Sequence, residues 1–263
     1  EGPSVWGKCQ PGDRWPGDTE VLAVNEIEGR RYLYTAACHN PLIVFDITDP
    51  GNPRECLGWA DPQEGSCQNS QGHDVTVLKN HVFVLEGATG LPGGDLNVLT
   101  MVHDGGIPRL THRGTLKEAF GSVGADAQHG ILCTVGEYGL KVFEMEKDLG
   151  KLPVLKGCLA ADERFGLPAN VVLSGQYAYV ADRRHGLQVV AIADRTSPRT
   201  VTRAAAPIPD MVRMAVKSCR DGDLVFVGGT SATGGTLQVF RFTFDEPVVV
   251  SRHRHRGEGV FDM

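Results

Sequence analysis

A six-residue apolar motif that returns five times constrains this chain more than any other feature. Leu42-Ile43-Val44-Phe45-Asp46-Ile47 recurs as Leu96-Asn97-Val98-Leu99-Thr100-Met101 and as Leu140-Lys141-Val142-Phe143-Glu144-Met145. It returns again as Leu187-Gln188-Val189-Val190-Ala191-Ile192 and Leu237-Gln238-Val239-Phe240-Arg241-Phe242. The leading leucines lie 54, 44, 47 and 50 residues apart. Each copy is short and rich in β-branched and aromatic residues, which reads as a strand. A proline follows each leucine by 10 to 13 residues: Pro53, Pro108, Pro153, Pro198 and Pro247. There it ends one strand and opens an outer one, where a missing N–H is tolerated at a sheet edge.

Further strands precede the motif. Tyr32–Tyr34, Val82–Val84, Tyr177–Val180 and Leu224–Val227 form one set, and Asp74–Val77 and Asn170–Leu173 belong to another. Tight turns such as Ser174-Gly175-Gln176 join the two sets. Each unit is then four antiparallel strands, A to D, and about 45 residues long, the size of a propeller blade. A lone blade leaves both faces uncovered, and stacking blades covers them. The expectation is all-β: a five-bladed β-propeller of four-stranded antiparallel blades. It forms a single domain over 1–263, with blades near 19–60, 72–117, 121–159, 168–206 and 211–252. The third blade is compressed around Gly121–Val135, and its strand A is the least distinct.

The run Tyr177 to Asp182, then Gly186 to Asp194, then Ser197-Pro198 resembles the LVIVD repeat, as does Tyr32 to Pro53 with Asp46-Ile47-Thr48-Asp49-Pro50. The resemblance extends over four or five units. It implies the propeller fold. Propellers of this type are similar in architecture to fungal natural-product cyclases, among them hetero-Diels–Alderases. They are also common in surface proteins.

In such blades the D–A and B–C connections share one end, and side chains there are the default site. At the head of strand A this selects Glu20, Asp74, Asn170 and Arg213, with His73 and Met211 beside them and Asp126 or His129 as the third-blade counterpart. The B–C connections add His39, Asn40, Glu137, Arg184 and His185. His73, Asp74 and His129 suit acid/base chemistry, and Arg213 suits a carboxylate or carbonyl oxygen. Met211, Met214 and Leu91 would supply apolar walls. Two glycine-rich B–C segments, 87–94 and 228–235, fit either lids with glycine hinges or loose turns. Arg252-His253-Arg254-His255-Arg256 reads as a charged outer edge.

Two functions fit these residues best; a third, metal-dependent hydrolysis or oxidation, would need at least three of His39, His73, His129 and His185 to converge. One is a cofactor-free cyclase of secondary metabolism acting on a small organic substrate. Its donors would stabilise charge on a carbonyl oxygen at about 3 kcal/mol each. The other is a non-catalytic extracellular binding module. No H-E-x-x-H, G-x-S-x-G, phosphate-loop or dinucleotide motif occurs, so no cofactor or metal is expected. A net charge of −6 argues against nucleic acid. No apolar run reaches the roughly 18 residues of a membrane span, and a monomer or weak dimer is expected.

Seven cysteines carry no zinc spacing. A chain opening at Glu1 reads as processed, which favours a secretory compartment with up to three disulfides, Cys38–Cys67 first. The alternative is a cytosolic chain with seven thiols. Cys133 and Cys158 are expected on strands B and D of one blade, two strand spacings or roughly 9.5 Å apart and too far to bridge.

Overall fold

The computed structural model describes residues 19–37, 40–59, 70–88, 94–117, 121–126, 128–136, 138–145, 150–161, 168–204, 211–231, 234–243 and 246–255. They form twenty strands in five four-stranded antiparallel sheets, each ordered as the chain runs. Blade 1 is β1 (Thr19–Ile27), β2 (Arg30–Ala37), β3 (Asn40–Asp46) and β4 (Arg54–Trp59). Blade 2 is β5 (Ser70–Leu78), β6 (His81–Ala88), β7 (Asp95–Asp104) and β8 (Ile107–Leu116). Blade 3 is β9 (Ser122–Asp126), β10 (Ile131–Gly136), β11 (Gly139–Glu144) and β12 (Val154–Ala160). Blade 4 is β13 (Pro168–Ser174), β14 (Tyr177–Asp182), β15 (Gly186–Ala191) and β16 (Arg199–Ala204). Blade 5 is β17 (Met211–Cys219), β18 (Gly222–Ser231), β19 (Gly234–Thr243) and β20 (Glu246–His255).

The fold class read from the repeat is therefore the observed one, an all-β, five-bladed β-propeller. Packing groups the chain into two compact units. One is Glu1–Val123 with Glu146–Leu152, and the other is Gly124–Met145 with Pro153–Met263.

The repeated motif is the third strand of every blade, and all five copies carry one irregularity. The register against the fourth strand slips between the third and fourth motif residues, at Val44/Phe45, Val98/Leu99, Val142/Phe143, Val189/Val190 and Val239/Phe240. One outer-strand residue is passed over each time: Cys56, Arg113, Lys156, Val201 and Val250. A bulge adds twist and bends the strand that carries it. Five bulges at one repeat position make the bend a property of the repeat.

Apolar side chains of neighbouring sheets interdigitate. In the first unit Tyr32, Tyr34, Leu42 and Val44 pack with Val82, Val84, Leu99 and Met101. The second unit has two such layers. Cys133, Val135, Leu140 and Val142 meet Ala178, Val180, Val190 and Ile192. Tyr179, Leu187 and Val189 meet Val225, Val227, Phe240 and Phe242. Each fully buried side chain of this size contributes roughly 1.5–3 kcal/mol. The β14 and β15 strands are buried on both faces, because each side packs on another blade.

Close approach is built in at one outer-strand position. A Cβ on Gly157 of β12 would sit 2.5 Å from the Arg195 carbonyl oxygen and 2.8 Å from that of Thr196. The turn after β15 crosses there against bare backbone. Gly114 holds the equivalent place in β8, where Leu152 is the neighbour.

Three sequence expectations change. The segment 228–235 is no lid: β18 runs to Ser231 and β19 starts at Gly234, with Gly228 paired to Leu237 and Gly229 to Thr236. The other segment lies between β6 and β7, with 89–93 outside the described residues. Cys56, Cys133, Cys158 and Cys219 are free thiols, so a three-bridge framework does not hold. Cys38 and Cys67 lie outside the described residues. Cys133 faces Val142 while Cys158 faces Lys141 on the strand between them, which is why no bridge joins the two.

Candidate functional site

Among the described residues, Glu20, His73, Asp74, Asn170, Arg213 and His185 lie toward the end of their blades formed by the D–A and B–C connections, whereas Asp126 and His129 do not. In the first unit, β5 bulges between Gly72 and Asp74, so His73 is the extra residue and Asp74 resumes pairing opposite Leu85. His73 is half-buried. Asp74 is only 4% exposed. Its Oδ2 accepts from Ser122 Oγ at 2.6 Å and from the Val123 N–H at 2.9 Å, and its Oδ1 accepts from the Val75 N–H at 2.9 Å. The carboxylate that the sequence offers as a general base thus ties strand A of blade 2 to strand A of blade 3.

The second unit repeats this device with a different side chain. β13 bulges between Pro168 and Asn170, and Asn170 resumes pairing opposite Ala181. Asn170 Oδ1 accepts from the Met214 N–H at 3.1 Å, on strand A of blade 5. Asp74 and Asn170 differ in charge but do one job: each offers an oxygen to a backbone N–H of the following blade. Their divergence is compatible with structural use, since an amide and a carboxylate both accept.

Register moves Glu20 out of this set. In β1 the bulge falls between Thr19 and Val21, so Glu20 matches His73 while Val21 matches Asp74. Val21 packs against the core instead of accepting a hydrogen bond. Arg213 is half-buried on β17 opposite Gly228. Met214 packs against the Tyr179–Phe240 layer, so its side chain is core and not a substrate wall. Met211 is in β17, and Leu91 and His39 lie outside the described residues.

Asp126 and His129 sit elsewhere. They end β9 and span the A–B turn, at the opposite end of the blade from the head of strand A. Asp126 accepts from the N–H groups of Gln128 at 2.8 Å, His129 at 3.2 Å and Gly175 at 3.0 Å, and His129 Nδ1 lies 2.9 Å from its Oδ2. Burial pushes this carboxyl up, but the bonds from His129 and Gln128 outweigh it and hold the group below the usual carboxylate range. Arg195 donates to the His129 carbonyl at 2.9 Å and pairs with Glu144. This cluster clamps blade 4 to blade 3.

His185 is at the expected end. It closes the B–C turn of blade 4, which Asp182 organises. That carboxylate is fully buried and accepts from the N–H groups of Arg184 at 2.8 Å and His185 at 3.0 Å, and from Gln188 Nε2 at 2.9 Å. His185 Nδ1 lies 3.4 Å from Asp182 Oδ1. Arg183 and Arg184 project from the same turn and are exposed. Blade 2 holds a related group: Asn97 Nδ2 donates to buried Glu86 at 3.1 Å, and Thr115 Oγ1 donates to Asn97 Oδ1 at 2.7 Å. Sequence reading missed Asp182, Gln188, Glu86 and Asn97. Their signal is the second motif position, where Asn97, Gln188 and Gln238 interrupt an apolar strand. A buried amide there needs a partner, and in blades 2 and 4 it is a carboxylate.

No group of three or more His, Cys, Asp or Glu fit to hold a metal occurs among the described residues. No helix among them is long and apolar enough to cross a membrane.

Comparison with known proteins gives the fold a name. Residues 16–59 and 166–205 match the LVIVD repeat. No curated protein sequence matches the chain. Among solved structures, a protein from Lactobacillus plantarum superposes with TM-score 0.61 at 16% identity, over 89% of this chain and 70% of its own. A Bacteroides fragilis protein described as a candidate 6-phosphogluconolactonase gives 0.60 at 14%, over 88% and 69%. The computationally designed Ika8 protein gives 0.53 at 14%, over 92% of this chain and 64% of its own. At these identities the likeness extends to fold alone. The chain is a five-bladed β-propeller that carries LVIVD repeats at 16–59 and 166–205.

Proposed function

We propose that this propeller is a binding module that takes an anionic small molecule, without covalent chemistry, at the B–C end of blade 4. The observation behind this reading is the division of labour among charged groups. Asp74, Asp126 and Asp182 are each engaged by two or more protein donors. A carboxylate held this way is a poor general base, because protonation would cost it those bonds. The cations of the B–C end of blade 4 are differently placed. Arg183 and Arg184 stand exposed on a turn that buried Asp182 fixes, with His185 beside them. A chain of net charge −6 that presents two arginines and a histidine on one rigid turn favours a carboxylate-bearing ligand.

The cyclase reading assigns the same end to dehydrative cyclisation, with His73 or Asp74 as acid/base. It predicts that Asp74→Asn abolishes turnover, whereas the binding reading predicts a structural phenotype only. The test is saturation-transfer NMR of the whole chain with a panel of small mono-, di- and tricarboxylates. Binding that disappears in the Arg183→Gln/Arg184→Gln double variant, with thermal stability unchanged, is the expected result. Equal binding by that variant, or no carboxylate bound by the parent protein, overturns it.

A further inference from the structure

A second site, unrelated to the B–C end, lies at the opposite end of blades 4 and 5. A groove of about 320 Å³ runs between their A–B turns, lined by Tyr177, Phe242, Cys219, Arg220 and Asp223 among others. Its floor is aromatic. Phe242 is buried, and Tyr177 meets it edge-on at 5.1 Å between ring centroids and 67° between planes. Tyr179 packs on the same ring at 5.7 Å and 76°.

The rim carries one charge of each sign. The Tyr179 hydroxyl donates to Asp223 Oδ2 at 2.8 Å, which fixes that carboxylate and leaves its other oxygen to accept. Burial, then the bond to Asp223, pushes the Tyr179 phenol well above its ordinary value, so it stays a neutral donor. Arg220 is exposed on the turn, and no carboxylate pairs with it among the described residues. Gly222 sets the opening: its φ is +116°, and a Cβ there would lie 2.1 Å from the Phe242 carbonyl oxygen, which bars any side chain. The turn therefore hugs β19 and leaves the space beside it open.

We infer that this groove binds a single aromatic ring bearing both a carboxylate and an ammonium group, the chemistry of an aromatic α-amino acid. The ring lies on Tyr177 and Phe242, the carboxylate meets Arg220, and the ammonium meets Asp223. Size supports one ring, since the volume is at the lower limit of small-molecule sites, roughly 300–1,000 Å³. Aromatic rings prefer the offset or edge-on contacts that Tyr177 and Phe242 offer. The paired charges select a zwitterion over a simple anion, which Asp223 would repel.

Cys219 provides the readout. Its thiol is exposed and lines the groove, and Cys158, exposed on β12, serves as an internal control. Iodoacetamide labelling of the full chain is followed by peptide mass spectrometry, with L-phenylalanine, phenethylamine or hydrocinnamate at millimolar concentration. L-Phenylalanine is expected to slow labelling of Cys219 severalfold and leave Cys158 unchanged. Each one-charge analogue protects less. Arg220→Gln, an exposed substitution that spares the fold, is expected to abolish the advantage of L-phenylalanine over phenethylamine. Unchanged labelling of Cys219, equal slowing of both thiols, or full protection in Arg220→Gln overturns the assignment.

Discussion

Asp74 and Asn170 show how one residue position can join two blades. Each follows a bulge in the first strand of its blade and accepts from a backbone N–H on the first strand of the next. Removing Asp74 leaves the Ser122 hydroxyl and the Val123 N–H in a buried site without their acceptor. Asp74→Ala is therefore expected to lower unfolding stability by about 3 kcal/mol, and Asn170→Ala, which breaks the neutral bond from the Met214 N–H, by about 1 kcal/mol. Urea titration of the two variants measures both, and a smaller loss for Asp74 than for Asn170 would contradict the assignment. Turn carboxylates give a second, pH-dependent signature. The side chain and then the backbone of Thr48 hold Asp46 below its ordinary value, and those of Thr196 do the same for Asp194. At Asp126, bonds from His129 prevail over the effect of burial. A depressed carboxyl binds fewer protons folded than unfolded. Its contribution is present above the unfolded pKa and is lost as pH falls through the folded one. Stability is accordingly expected to fall on the acid side, and Asp126→Asn to flatten that fall. An acid limb of unchanged slope in Asp126→Asn would show that the turn bonds carry no linkage.

At the scale of the strand, the repeat encodes a bulge as firmly as it encodes a hydrophobic stripe. All five third strands slip against their outer neighbours at the same motif position. The motif itself was legible, because leucine and valine alternate between flanking polar positions and recur at blade spacing. The bulge was not, since nothing in one strand marks a residue that its partner skips. The same blindness misplaced Glu20. Counting back from the hairpin ignores that β1 and β2 pair as far as Ile27 and Arg30, and the bulge then moves every residue before it by one. Asp126 and His129 were misplaced for a related reason: β9 has only five residues, so the polar cluster after Gly124 ends the strand instead of opening it. Gly157→Ala tests the packing of an outer strand. The two carbonyl oxygens over Gly157 are backbone atoms and have little room to give. We expect a loss of about 1–3 kcal/mol, typical of overpacking, read from the denaturant midpoint. A neutral Gly157→Ala would show that the Arg195–Thr196 turn lifts away freely.

For the whole molecule, what the chain announces and what it withholds follow from the range of the interactions. Blade number and strand order depend on local pattern and were readable residue by residue. The joints between blades depend on pairs 44 to 49 residues apart, such as Asn170 with Met214 and Asp74 with Val123. Such pairs follow no sequence spacing until the register is known. Polar residues at the heads of the first strands looked like a catalytic ring, and two of them prove to be fasteners. The central claim is that each of these side chains holds its blade to the next by accepting from a backbone amide there. Amide hydrogen exchange followed residue by residue tests it most directly. Asp74→Ala should raise exchange at the Val123 N–H and leave Met214 protected, and Asn170→Ala should do the reverse. Unchanged protection at both amides in both variants would contradict the claim.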